Sequence, residues 1–100
     1  MDGTLVVFHL PLGSSPADHR EFRRRIYGED TASWGGRYRY RRRGILDDLP
    51  HVRLYWGVVI VRREDARKFL AVVRGNGGGA VTRGIKLTTG DRKSLISRSR

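Results

Sequence analysis

Arginine is the residue type in this chain whose number and spacing best suit a chemical role. Of the 100 residues, 21 are Lys or Arg and 10 are Asp or Glu, so the formal net charge is +11. A guanidinium group pairs with phosphate as a planar fork. A solubility charge with a genomic bias toward arginine codons would explain the excess of Arg over Lys, but it explains the clustering less well. The composition therefore predicts a polyanion partner such as RNA or DNA.

The basic residues are clustered and interleaved with aromatic side chains. One cluster is RRR at 23–25, a second is RYRYRRR at 37–43, and RLY at 53–55 adds to them. Arginines pair with phosphates, and aromatic rings stack on exposed bases. The predicted nucleic-acid-binding residues are Arg23, Arg24, Arg25, Arg37, Tyr38, Arg39, Tyr40, Arg41, Arg42, Arg43, Arg53 and Tyr55.

The tyrosines of the second cluster have another interpretation of equal weight. Tyr38 and Tyr40 would be core residues, and the arginines around them would form a solvated edge that prevents strand-to-strand aggregation. For the arginines, nucleic-acid contact is favoured because residues 23–25 add charge from the preceding helix. Spacing alone does not determine whether the two clusters share one face.

The titratable residues give no comparable pattern. His9, His19 and His51 could join Asp47 and Asp48 in a metal or acid-base site, because imidazole and carboxylate suit several divalent ions. Their spacing matches no motif, and Asp is favoured in turns by local backbone hydrogen bonds. We therefore predict no catalytic residue, no metal and no cofactor.

Composition also bears on the compartment. The chain has no Cys, and no apolar run approaches the ~20 residues of a membrane span. We expect a cytoplasmic protein with no membrane partner. Gln is absent and Asn occurs once, which fits the depletion of thermolabile residues in a thermophile.

Local patterns at the start of the chain predict a strand and a helix. The β-branched and aromatic run at 4–10 predicts a strand. Ser15 as N-cap, Pro16 as first helical residue and Gly28 as terminator predict a helix over 16–27. Both helix ends are thus marked by local sequence.

The middle of the chain predicts two more strands. The polar, glycine-ended segment 29–36 is expected to be a loop, and the alternation in 37–43 predicts a second strand. Residues 51–63 predict a single long third strand, whose even positions form an apolar stripe that should face the core. That stripe comprises Val52, Leu54, Trp56, Val58 and Ile60.

The remaining elements complete an alternating order. Residues 64–74 have helical spacing of apolar side chains, and 81–87 alternate as a fourth strand. We expect one domain at 1–90 and a basic C-terminal tail at 91–100, which begins as a short helix. The order β-α-β-β-α-β predicts an α+β, ferredoxin-like plait, a four-stranded antiparallel sheet with two helices on one face.

Two segments resemble the RNA-recognition motif family. HLPLGSSPADHREFRRRIYG resembles its first strand-loop-helix, and YWGVVIVRREDARKFL resembles its third strand and second helix. The resemblance implies RNA binding on the open sheet face, where that family stacks bases on two or three aromatics. The corresponding positions here hold mainly valine (Val6, Val58 and Val61), and Trp56 falls at a stacking position by spacing although alternation puts it on the core face.

The first strand also resembles a second family. VVFHLP followed by an arginine-rich helix is similar to the small ferredoxin-like CRISPR-associated nuclease and integration subunit. In that family the strand ends in an Asp to which metal binding is attributed, and His9 stands at that position here. The resemblance therefore implies a structural, DNA-holding role without metal-dependent cleavage.

The sequence favours a non-catalytic nucleic-acid-binding protein. One alternative is a metal-dependent nuclease or CRISPR-type DNA-handling subunit, which would need a carboxylate cluster near His9. Another is a dimerising structural protein without a nucleic-acid partner, in which Tyr55, Val59 and Val61 are buried between subunits. A homodimer would form through the open sheet face or an edge strand.

Overall fold

The chain folds into a mixed α+β structure, which a computed structural model describes for residues 2–33 and 35–97. In chain order its elements are β1 (Asp2–His9), α1 (Pro16–Tyr27), β2 (Glu29–Ser33), β3 (Tyr38–Arg42), β4 (His51–Tyr55), β5 (Val58–Arg62), α2 (Arg63–Gly75), β6 (Gly79–Lys86) and α3 (Thr89–Ser97). One turn of 3-10 helix, Ile45–Asp47, lies between β3 and β4.

Four of the strands form one antiparallel sheet in the order β4-β5-β1-β6. The central strand β1 pairs with β5 on one side and with β6 on the other. Its pairing with β6 runs from Asp2 opposite Lys86 to His9 opposite Gly79. The predicted four-stranded antiparallel sheet is therefore present.

The two predicted helices form where their local signals lie. The Ser15 hydroxyl accepts a hydrogen bond from the backbone N–H of Asp18, and the Asp18 carboxylate accepts one from the backbone N–H of Ser15, both at 3.0 Å. This capping box satisfies N–H groups that a helix start leaves unpaired. The helix α1 has the predicted bounds, and α2 extends one residue beyond the prediction at each end.

The main core lies between α1, α2 and one face of the sheet. Phe8 of β1 contacts Phe69 of α2 edge to face, with ring centroids 5.3 Å apart. Phe22 of α1 lies 6.1 Å from Phe8 by the same measure. The cluster comprises Val6, Phe8, Phe22, Ile26, Leu46, Leu49, Val59, Val61, Phe69 and Val73. Aromatic and β-branched side chains therefore form most of this core.

A third helix covers part of the opposite face. Leu95 of α3 is buried against Ile60 of β5 and Leu87, with Leu5 and Val52 packed around them. The sequence predicts only two helices and an open second face, so this helix corrects the prediction. The helical start predicted near residue 91 begins at Thr89 and continues to Ser97, while residues 98–100 of the predicted basic tail lie outside the described residues.

The predicted long third strand is wrong, because 51–63 forms two strands joined by a tight turn. Gly57 adopts φ +80, and a Cβ there would lie 2.7 Å from the backbone oxygen of Phe8. The turn leaves Leu54 and Trp56 more than half exposed, whereas Val59 and Val61 are fully buried. The predicted core stripe is therefore wrong for Leu54 and Trp56, whereas its member Ile60 is buried in the second core cluster. The predicted burial of Val59 and Val61 between subunits is wrong, because both lie in the main core.

The predicted second strand forms but does not join the main sheet. The strand β3 pairs with β2, which lies in the segment predicted to be a loop. Two of the pairs set acid against base, with Glu29 opposite Arg42 and Asp30 opposite Arg41. Cross-strand charge pairs stabilise a hairpin that has little apolar surface. We call residues 29–42 the basic hairpin and residues 51–62 the core hairpin.

None of the helices within 2–33 and 35–97 is both long enough and apolar enough to cross a membrane.

Candidate nucleic-acid interface

The basic hairpin leaves and rejoins the body of the protein at one place, between two glycines. Gly28 ends α1 with φ +81, and its N–H donates to the carbonyl of Arg24 at 2.8 Å. A Cβ on Gly44 would lie 2.3 Å from the backbone nitrogen of Gly28. The two chain segments therefore touch through their backbones, and the hairpin projects from a closed base.

Arg41 connects the chain segments that meet at the base of the hairpin. Its guanidinium donates to both carboxylate oxygens of Asp47 at 2.8 and 2.9 Å, to Asp30 at 3.1 Å, and to the carbonyl of Tyr27 at 2.8 Å. These partners come from the 3-10 turn, from β2 and from the last residue of α1. Arg41 was predicted to bind nucleic acid, and its donors are already directed at groups of this chain.

Asp47 is the acidic partner at the base of the hairpin. Burial by itself would raise the pKa of Asp47, but hydrogen bonds from Arg41 and from the backbone N–H of Gly44 outweigh it and hold the pKa below 3.8. Hydrogen bonds to Asp47 and, second, to Asp30 raise the pKa of Arg41 above its usual value. Both side chains are therefore charged at neutral pH.

The five residues of β3 are all exposed. Tyr38 and Tyr40 are 57% and 51% exposed, so the interpretation of these tyrosines as core residues is wrong. Hydrogen bonds with the side chains of Thr31 and Arg42 lower the pKa of Tyr40. Both rings are open to a partner.

Several predicted binding residues are already paired with acids. Arg24 and Arg25 bind Glu21 and lower its pKa to about 2, and Arg43 binds Asp48. Within the described residues, a second group of exposed arginines forms no ion pair. On α1 and the basic hairpin this group is Arg20, Arg23, Arg37, Arg39 and Arg42, and elsewhere in the described residues it also includes Arg53, Arg63, Arg67, Arg74, Arg83 and Arg92.

A groove of about 520 Å³ lies between α1 and the basic hairpin. Arg20 and Arg24 contribute from the helix, and Arg42 contributes from β3. Glu21 and Glu29 also line it, so the groove has three guanidinium groups and two carboxylates. One residue of each predicted cluster, Arg24 and Arg42, therefore lines the same groove, which spacing could not determine. Arg20 was missed, although its i, i+4 spacing from Arg24 placed both on one helical face.

Arg53 and Tyr55 lie apart from this groove and from each other. Arg53 packs on the helix side of β4, with its guanidinium carbon 5.1 Å from the ring centre of Tyr27 and 4.7 Å from that of Trp56. Tyr55 pairs with Val58 on the opposite face and is 72% exposed. Arg53 was predicted as a phosphate contact, and in the structure its guanidinium lies over two aromatic rings.

The hypothetical site of His9, Asp47 and Asp48 does not assemble. Asp47 and Asp48 bind Arg41 and Arg43, and the Nδ1 atom of His51 lies 2.9 Å from the carbonyl oxygen of Leu49. In the part of the chain that the structure describes, no group of three or more His, Asp or Glu side chains could hold a metal ion.

Comparison of the chain with protein-family models, with curated proteins and with solved structures gives no match.

Proposed function

We propose that this protein binds RNA or DNA mainly through arginine-phosphate contacts and has no catalytic activity of its own. The binding surface consists of the basic hairpin and the adjoining face of α1. One observation carries the proposal: β3 contributes no residue to the core, and its side chains are instead exposed beside the arginines of a helix.

Ion pairs divide the arginines of this surface by role. Arg41 and Arg43 pair with Asp47 and Asp48 and hold the hairpin in place. The exposed arginines of this surface that have no acidic partner within the described residues are available for phosphates. Phosphate contacts dominate nucleic-acid affinity and position the protein on its target. A nucleic-acid partner of this kind is consistent with a cytoplasmic protein.

We also infer that the architecture is a ferredoxin-like plait with two additions. The order β4-β5-β1-β6 supports this, because α1 follows the central strand β1 and α2 connects β5 to the edge strand β6. The basic hairpin is then an insertion between α1 and β4, and α3 is an addition after β6. Since one fold serves many functions, the fold itself adds no argument for nucleic-acid binding.

The proposal is tested by fluorescence anisotropy with labelled single- and double-stranded RNA and DNA across a salt series. The logarithm of the binding constant should fall linearly with the logarithm of the salt concentration. The slope of this line should be about −0.9 per phosphate contact for duplex DNA and about −0.7 for single strands. A gel of the same oligonucleotides, with and without magnesium, tests whether they stay intact. Magnesium-dependent cleavage would favour the nuclease alternative instead.

A matched pair of double variants locates the surface. The double variant Arg20→Gln, Arg42→Gln removes one guanidinium from each wall of the groove. If each arginine contacts one phosphate, the slope of log affinity against log salt concentration should become shallower by about 1.4 to 1.8. Arg67→Gln with Arg74→Gln makes the same charge change at exposed positions of α2. Equal effects of the two pairs would refute a localised surface, and no binding by the wild type at low salt would refute the function.

Self-association is a second candidate, favoured by a row of side chains on the second sheet face. Tyr55 is opposite Val58, Val58 is opposite Val7, and Val7 is opposite Val81, so the row crosses all four strands. Tyr55, Val7 and Val81 are exposed to solvent. Sedimentation velocity over a concentration series should detect a dimer that Val81→Lys abolishes, and a monomer at all concentrations would exclude it.

A further inference from the structure

We propose that Trp56 is a stacking platform for an unpaired base, so that the nucleic acid bound is single-stranded. This inference rests on the proposed function and adds a substrate class to it. It is carried by an aromatic side chain that is held firmly in place and is nevertheless open to solvent at the tip of the core hairpin.

The turn that carries Trp56 is fixed by its neighbours. The N–H of Gly57 donates to the hydroxyl of Tyr27 at 2.7 Å, and the carbonyl of Gly57 accepts from the N–H of Phe8 at 2.8 Å. The close approach of Gly57 to the Phe8 carbonyl leaves no room for a side chain at that position. The position of Trp56 is therefore determined by β1 and α1 as well as by its own hairpin.

The indole is supported by two side chains. Tyr27 meets it edge to face, with ring centres 4.9 Å apart and planes at 81°. The guanidinium of Arg53 lies 4.7 Å from its ring centre. Trp56 nevertheless remains 56% exposed. A side chain that is ordered before binding loses little conformational entropy on binding, and this favours a role in recognition.

The same residue of α1 connects this aromatic to the basic hairpin. The ring of Tyr27 contacts Trp56, and its carbonyl accepts a hydrogen bond from Arg41 at 2.8 Å. The guanidinium of Arg53, next to the indole, provides a positive charge for the phosphate of a stacked nucleotide. Trp56 is therefore connected to the base of the basic hairpin through the single residue Tyr27, and we propose that a bound strand extends from the hairpin to this aromatic surface.

Stacking on this surface requires an exposed base face. In a duplex, both faces of each base are stacked on neighbouring bases, whereas an unpaired base can stack on an aromatic side chain. Because every base has such a face, the contact would be tolerant of sequence. The expected ligand is single-stranded RNA or DNA with little sequence preference.

The test compares Trp56→Ala with Leu54→Ala, a control at a similarly exposed apolar residue of the same hairpin. The probes are oligo(dT) and oligo(U) of about 16 nucleotides, the matching duplexes, and inorganic polyphosphate, which provides phosphates without bases. Trp56→Ala should weaken single-strand binding by about 5- to 150-fold. Polyphosphate binding should not change, and Leu54→Ala should bind like the wild type.

Trp56→Phe and Trp56→Leu keep the inference testable if the alanine variant does not fold. Phenylalanine retains an aromatic face and should restore part of the affinity, whereas leucine retains apolar volume without a ring and should not. In a Trp34→Phe background Trp56 is the sole indole, so its fluorescence should be quenched on binding oligo(dT).

The outcomes separate this inference from the function on which it rests. If the wild type binds none of the nucleic acids, the proposed function fails. If salt-dependent binding persists but Trp56→Leu matches the wild type, or duplexes bind as tightly as single strands, the stacking inference alone is overturned. Unquenched fluorescence in a saturated complex would overturn it too.

Discussion

The two hairpins of this protein are built from similar alternating sequences but are stabilised in different ways. The core hairpin contains Val59, Ile60 and Val61, all almost completely buried, and it forms half of the main sheet. The basic hairpin has no buried residue among those described, and its base is held by Arg41 through ion pairs with Asp30 and Asp47.

The difference shows that alternation predicts a strand but not the sheet to which it belongs. Apolar surface is what draws a strand into a core, since burial contributes about 25 cal/mol per Å². RYRYRR has only two tyrosines to bury, while VVIVR has four β-branched residues. The basic hairpin is therefore free to present its side chains to a partner.

The largest expected effect is on the core hairpin. Ile60→Ala would leave a cavity between β5 and α3, and we expect a loss of about 2 to 5 kcal/mol in the free energy of unfolding. Tyr38→Ala, on the exposed strand of the basic hairpin, should change it by less than about 0.5 kcal/mol. Urea titration measures both, and similar losses would remove the distinction between the hairpins.

The junction between the basic hairpin and the body gives the next largest effect. Gly44→Ala places a methyl group against the backbone of Gly28 and Ile26, where no side chain can move aside, and should cost about 1 to 3 kcal/mol. Gly75→Ala is the control, because nothing lies within 4 Å of its Cβ position at the end of α2. A Gly44→Ala protein as stable as the wild type would contradict the closed base.

Loss of Arg41 should act on one hairpin only. Partly exposed ion pairs contribute little to global stability, so Arg41→Ala should leave the urea midpoint nearly unchanged. Amide hydrogen exchange in residues 29–42 should accelerate, while exchange in 51–62 stays slow. Arg41→Lys should show most of the acceleration because an ammonium cannot donate as a planar fork. Equal acceleration in both hairpins would mean that they unfold together.

The smallest effect is a pH dependence confined to the same base. The folded-state pKa of Asp47 lies below 3.8, so its contribution is present above that pH and is lost as the pH falls through the lower, folded-state pKa. NMR amide shifts of residues 29–42 should therefore titrate below pH 3.8 before the shifts of 51–62 change. Asp47→Asn should remove this step, and its persistence in that variant would assign it to another acid.

Sequence by itself determined the features that depend on near neighbours in the chain. The N-cap Ser15, the terminator Gly28 and the apolar spacing of Phe69 and Val73 act within a few residues. They predict α1 with its observed bounds and α2 to within one residue at each end. The clusters of arginine were likewise evident from the order of residues in the sequence. The strand 29–33 was missed because EDTAS has little β-propensity, and the acid-base pairs in its ladder with β3 become evident only when the two strands are aligned.

Only the tertiary structure decided which partners these elements found. The alternation of 51–63 did not reveal that Gly57 reverses the chain, so Leu54 and Trp56 became exposed while Val59 and Val61 became buried. Arg41 and Arg42 are adjacent and chemically identical, yet Asp47, Asp30 and the carbonyl of Tyr27 engage only the first. These outcomes depend on groups brought together from distant positions in the chain, and burial and ion pairing act through space.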